Sequence, residues 1–131
     1  METKTFKKGS LIFKAGDPGD CMYEVYMGKV GIYSDFGTDR EKLLTEYYQD
    51  QYFGEMGLLD KMPRSATAVA MCDGTSLGII TEENFDAFYR ENPNRVLMVM
   101  QQISKNLRKR TKEYMDVCRQ IKNLTETEAS E

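Results

Sequence analysis

The sequence predicts a mainly β fold with added helix: an eight-stranded β-roll, or jelly roll, followed by a short helix and a long C-terminal helix that dimerises. Three observations carry this expectation. From Thr3 to Thr81 short β-prone runs alternate with glycine-containing turns. After Thr81 the spacing of apolar residues changes from two to a helical period. From Val96 to Leu124 the residues Val96, Met100, Ile103, Leu107, Arg110, Tyr114, Val117, Ile121 and Leu124 recur at alternating intervals of 4 and 3, a coiled-coil seam.

In chain order the strands are expected at TKTF, LIF, MYEVYM, VGIYS, KLLTEYY, YF, ATAVAM and SLGII. The turns between them have the right chemistry. AGDPGD at Ala15 to Asp20 carries Pro and two Gly, Gly28 stands between two strands, and DFGTDR supplies a glycine-containing hairpin loop. GEMGLL reads as one tight helical turn with Gly54 at its mouth. TEENFDAFYREN reads as a short helix with Thr81 as N-cap, Glu82 and Glu83 in its first turn, and Phe85, Phe88 and Tyr89 on one face. Asn92-Pro93 breaks the chain and restarts it as the long helix, Pro being tolerated in a first helical turn. The expected organisation is one domain over 1–131: a β-roll over 3–81, helices over 82–124, and a polar tail over 125–131, TETEASE, that frays.

Composition narrows the function. The 131 residues carry 18 Lys plus Arg against 21 Asp plus Glu, a net charge of -3, without the basic excess of a nucleic-acid binder. KNLRKRTK places five basic residues in one helical stretch, the pattern of a solvated face. There is no histidine, which removes Ser-His-Asp and Cys-His catalysis and imidazole metal sites. Cys21, Cys72 and Cys118 are odd in number and widely spaced, so buried reduced thiols are expected rather than disulfides or a zinc site. The start METKTFKKGS has no apolar core of a leader, and no window approaches the length a membrane span needs, so a soluble cytoplasmic protein is expected. A binding role leads, and no metal or cofactor is expected.

The segment YFGEMGLLDKMPRSATAVA sets Glu55 and Arg64 into otherwise apolar and small residues. An arginine offers a planar fork of donors to the two free oxygens of a cyclic phosphodiester, and a glutamate accepts from a ribose hydroxyl. Ser65 adds a hydroxyl, Ala66 lets backbone approach, and the backbone N–H groups after Gly54 would face the same anion. A plain surface ion pair between Glu55 and Arg64 is the alternative. The joint occurrence of Gly54, Glu55, Pro63, Arg64, Ala66 and Thr67 at this spacing resembles the phosphate-binding cassette of cyclic-nucleotide-binding domains, FGE followed by an apolar stretch and PRxAT.

The resemblance extends along most of the chain. LIFKAGDPGDCMYEVYMGKVGIY is similar to the first hairpins of that family, with Gly16 and Gly28 at turn positions, and FDAFYRENP with the long helix resembles its C-terminal lid. It implies that Glu55 holds the ribose 2′-hydroxyl, that Arg64 binds the cyclic phosphate, and that Gly54, Met56, Ser65 and Ala66 line the cassette. Asp50-Gln51 stands where the family commonly has Gly-Asp; Asp tolerates a left-handed turn better than most residues, so the turn is expected to survive. Ser65 leaves cAMP against cGMP open, with cAMP preferred.

The leading expectation is therefore a homodimeric regulatory module that binds a cyclic mononucleotide and moves its C-terminal helices. Two alternatives stand: the sensory half of a DNA-binding regulator of the cyclic-AMP-receptor type, and a vestigial interaction module. A helix-turn-helix reader needs further helices, and TETEASE supplies none, so no direct DNA binding is expected of these residues. Enzymatic activity is not expected. Arg110, the one charge in the seam, is expected either to reach the purine base or to pair with Glu113 or Asp116 or extend to solvent.

Overall fold

The structure, a computed structural model, describes residues 2–130 and, within them, all side chains but those of Met56, Leu59, Asp60 and residues 127–130. Eight strands come first: β1 (Glu2–Phe6), β2 (Leu11–Phe13), β3 (Cys21–Met27), β4 (Val30–Ser34), β5 (Lys42–Tyr47), β6 (Tyr52–Phe53), β7 (Thr67–Ala70) and β8 (Thr75–Thr81). The helices are α1 (Glu55–Asp60), between β6 and β7, then α2 (Glu82–Glu91) and α3 (Pro93–Ser130). The strands form two four-stranded antiparallel sheets, ordered β1-β8-β3-β6 and β2-β7-β4-β5. This is the β-roll that the sequence predicts.

Turn residues set the corners. Gly28 joins β3 to β4 at φ 91°, and a Cβ there would stand 2.5 Å from the Thr75 hydroxyl oxygen, so both conformation and space require glycine. Asp50 does take the left-handed region, φ 67°, and its N–H donates to the Val25 carbonyl at 2.8 Å, so the turn into β6 survives without glycine. β6 thereby stays in register with β3, Tyr52 opposite Glu24 and Phe53 opposite Tyr23.

Both sheets contribute to the core: Val25, Phe53 and Leu77 from one, Val30, Tyr47 and Ala68 from the other. Aromatic rings tie them together, with Phe53 stacked 5.0 Å from Tyr23 and 5.5 Å from Tyr47. α2 begins with a capping box: the Asn84 N–H donates to the Thr81 hydroxyl oxygen at 3.3 Å, and the Thr81 N–H donates to the Asn84 side-chain oxygen at 2.8 Å. Phe88 is buried with its ring edge-on to Tyr52, whereas Tyr89, expected on the same face, is exposed. One residue turns the side chain about 100° around a helix, enough to carry Tyr89 off the buried stripe.

The chain divides into two compact units, Met1–Arg95 and Val96–Glu131. The second is α3 after its first turn. Its helix runs through Ser130, past Leu124, where a frayed tail over 125–131 is the sequence expectation; Glu131 lies outside the described residues. Along the seam Met100, Leu107, Tyr114, Val117, Ile121 and Leu124 are each more than half exposed in the single chain. Cys21 is buried, but Cys72 and Cys118 are exposed, which corrects the expectation of three buried thiols: Cys72 sits in the turn before β8 and Cys118 on α3, where neither meets a core. Among the described residues no helix is long and apolar enough to cross a membrane.

Candidate anion site around Arg64

Arg64 lies in the connection from α1 to β7, and the loop after β2 fixes its backbone on both sides. Its N–H donates to the Asp17 carbonyl and its carbonyl accepts from the Gly16 N–H, each at 2.8 Å. Thr67, at the start of β7, accepts from the Ala15 N–H at 3.0 Å through its buried hydroxyl. These bonds make AGDPGD a clamp for the PRSAT segment and account for its Pro and Gly content.

The arginine side chain turns inward and is 7% exposed. Nη1 donates to the Gly54 carbonyl at 3.0 Å, and Nη2 donates to the Cys21 carbonyl at 2.8 Å and to Cys21 Sγ at 3.5 Å. The guanidinium carbon stands 4.3 Å from the centroid of the Phe13 ring and 5.7 Å from that of Tyr23. Space for it is made by missing side chains: a Cβ on Gly57 would lie 2.5 Å from Nη1, and one on Gly54 2.9 Å. Gly54 is the left-handed N-cap of α1, φ 75°, so it is required twice over.

The electrostatics of this side chain are incomplete. Its hydrogen-bond acceptors are neutral carbonyls and a thiol, and among the described residues its buried Nε has no partner. Among the described residues no carboxylate pairs with it. A buried cation without a counter-charge is costly unless something supplies one. The same confined neighbourhood raises the Tyr23 hydroxyl well above the ordinary tyrosine range, chiefly through burial and then through its bond with Cys21, with Arg64 acting in the opposite direction.

The other residues singled out by sequence fall as follows. Gly54 and Glu55 open α1 and are half-buried, and Glu55 forms no ion pair with Arg64, so the plain surface pair is not what the structure contains. Ser65 is exposed and Ala66 half-buried beside Arg64 in the chain. Met56 belongs to α1 by its backbone, while its side chain lies outside the described residues. Arg110 is exposed on α3, within the second unit. Asp116, one partner considered for it, lies 3.7 Å from Arg119 instead. Sequence reasoning missed Cys21, Phe13, Tyr23 and Gly57 around the guanidinium. Of these Gly57 was discoverable, because a second glycine three residues after Gly54 faces the same side of a helical turn.

Comparison with known proteins places the chain in a family. The sequence profile of the family described as "Cyclic nucleotide-binding domain" matches residues 3–92. The cyclic AMP receptor protein of Thermus thermophilus is 36% identical over 93 residues, which cover 71% of this chain and 43% of that protein. The cAMP-dependent protein kinase regulatory subunit of Colletotrichum orbiculare is 36% identical over 73 residues, 56% of this chain and 18% of that protein. Among solved structures, the Thermus thermophilus catabolite activator protein superposes with a TM-score of 0.73 at 32% identity, covering 86% of this chain and 52% of that one. The chain spans less than half the length of either curated relative. With its two-sheet β-roll, its short helix and its buried arginine in place, the chain belongs to the cyclic nucleotide-binding domain family.

Proposed function

We propose that this chain is a regulatory sensor that binds a cyclic mononucleotide, cAMP in preference to cGMP, and acts through binding and not catalysis. The observation that carries the reading is the Arg64 guanidinium: buried, bonded to neutral acceptors, and with Nε unpartnered. A cyclic phosphodiester brings the single negative charge and the two free oxygens that such a group lacks. Gly54, Met56, Ser65 and Ala66 line the approach, and Glu55 accepts from the ribose 2′-hydroxyl. The lack of histidine in the sequence supports a non-catalytic role.

α3 is the dimer helix in this reading. Its exposed seam from Met100 to Leu124 is longer than an isolated small protein usually leaves to solvent. Arg110, the charge within that seam, reaches the purine and ties occupancy to the spacing of the two helices. Named relatives support cAMP, since two of them carry it in their names. A second reading, the sensory half of a longer regulator, is favoured by the chain's coverage of only 43% of the cyclic AMP receptor protein. It predicts the same nucleotide binding.

Calorimetric titration with cAMP and with its 2′-deoxy analogue tests the assignment. Wild-type protein is expected to bind cAMP about tenfold or more tightly than the analogue, one charge-assisted hydrogen bond's difference, and Glu55→Ala is expected to abolish the preference. Equal discrimination by wild type and variant removes Glu55 from the site.

A further inference from the structure

Glu24 sits in the middle of β3 and is 2% exposed, an unusual place for a carboxylate. Its neighbours Val25 and Leu77 belong to the apolar core, so the charge survives there through its partners. Among the described residues two are seen, one from the middle of the first unit and one from its end. The Tyr52 hydroxyl donates to Oε1 at 3.0 Å from β6. Arg95, in the first turn of α3, places Nη1 3.0 Å from Oε1 and 3.2 Å from Oε2. Arg95 is half exposed while the carboxylate is not, so the arginine head reaches into the β-roll to meet it.

The position of Tyr52 gives this triad its consequence. It stands two residues before Gly54, whose carbonyl holds Arg64 and whose left-handed backbone starts α1. The backbone reinforces the link, because Tyr52 pairs with Glu24 in the β3–β6 ladder and the Val25 N–H donates to the Gln51 carbonyl at 2.9 Å. One carboxylate therefore holds both the strand that delivers the anion site and the first turn of the long helix. Burial, and after it the Glu24 charge, raises the hydroxyls of both Tyr52 and Tyr26 above their ordinary value, and Tyr52 stays a neutral donor to the carboxylate. An apolar residue at position 24 would fill the same space at less cost, since a buried ion pair adds little net stability.

We infer that Glu24 is a positioning residue that links the anion site at Gly54–Arg64 to the first turn of α3 through Tyr52 on one side and Arg95 on the other. What occupies the anion site rests on the functional reading above, but the linkage belongs to the protein alone. Linkage is reciprocal: whatever tightens β6 and α1 tightens the start of α3 by the same free energy, and loosening either end loosens the other.

Amide hydrogen exchange on the full chain, read by mass spectrometry of peptides, tests it without ligand. Arg95→Met is expected to speed exchange about fivefold or more in the peptide spanning Gly54 to Gly57, and Tyr52→Phe to do the same for residues 94–98. Acceleration confined to the substituted element, or spread evenly over every protected amide as general destabilisation, overturns the linkage. Glu24→Gln keeps the volume and the acceptor for Tyr52 but removes the charge; with cAMP added, it is expected to bind about fivefold or more weakly than wild type and to lose the protection that cAMP brings to residues 94–98 in wild type. Unchanged affinity and unchanged protection in Glu24→Gln also overturn it. Wild-type protein that binds no cyclic nucleotide overturns the functional reading alone, and the linkage is then decided by the ligand-free comparison.

Discussion

Gly57 decides whether Arg64 can lie where it does. Two effects of a methyl group there oppose each other. Alanine in a helix interior is favoured over glycine by about 1 kcal/mol, while its Cβ would stand 2.5 Å from Nη1 and 2.9 Å from the guanidinium carbon. The two nearest atoms are the end of a long side chain, which can swing, with the Gly19 Cα behind them at 3.1 Å, so more of the strain falls on the arginine's placement than on the fold. Gly57→Ala is therefore expected to change urea-denaturation stability by less than about 1 kcal/mol while weakening cAMP binding by about tenfold or more. A variant with full affinity shows that the guanidinium does not need this cradle. At this scale the sequence offers candidate residues and not their surroundings. Arg64 and Glu55 stand out because few residue types can serve a phosphodiester and a ribose, but the shorter bonds of Arg64 go to backbone carbonyls, one of them 43 residues away, and a carbonyl has no letter in the sequence. Glu24 is hidden for another reason: a single acid inside MYEVYM looks like an outward-facing strand residue until the fold places Tyr52 and Arg95 against it.

Elements are more legible than contacts because their signals are local. Thr81 and Asn84 form their capping box within four residues, and Asp50 takes its left-handed turn because its own short side chain tolerates it. The two-residue strand β6 is found from YF because a turn precedes it and glycine follows. The exposure of Tyr89 and of two cysteines is not found, since which face of a short helix or turn is covered depends on what the rest of the chain brings to it. α3 is the element whose pattern asks for something more. Eight of its nine seam positions are apolar or aromatic, and Val117, Ile121 and Leu124 remain exposed in one chain. Charge at an a or d position of a coiled coil is poorly tolerated because it would be desolvated on association. The double substitution Val117→Glu, Ile121→Glu is expected to sediment as a monomer at concentrations where wild type is a dimer. A wild-type chain that is already monomeric at such concentrations contradicts the dimer helix.

At the scale of the whole molecule, the β-roll with α1 and α2 forms one unit and the helix from Val96 another. The change of period after Thr81 announces that there are two kinds of structure, but it does not mark their division at Arg95, because α2 belongs with the strands through the buried Phe88 and its contact with Tyr52. The first unit matches its family over residues 3–92 and holds the described hydrogen-bond partners of Arg64; Glu24 and its partner Arg95 belong to it too. The central claim is that this unit leaves a buried arginine for a cyclic phosphodiester to complete. Calorimetric titration of wild type and Arg64→Lys with cAMP tests it most directly. Lysine keeps the charge but loses the fork of donors, so wild type is expected to bind with 1:1 stoichiometry per chain and the variant about thirtyfold or more weakly, some 2 kcal/mol. Equal affinity in the two proteins, or no heat of binding from folded wild type, would contradict it.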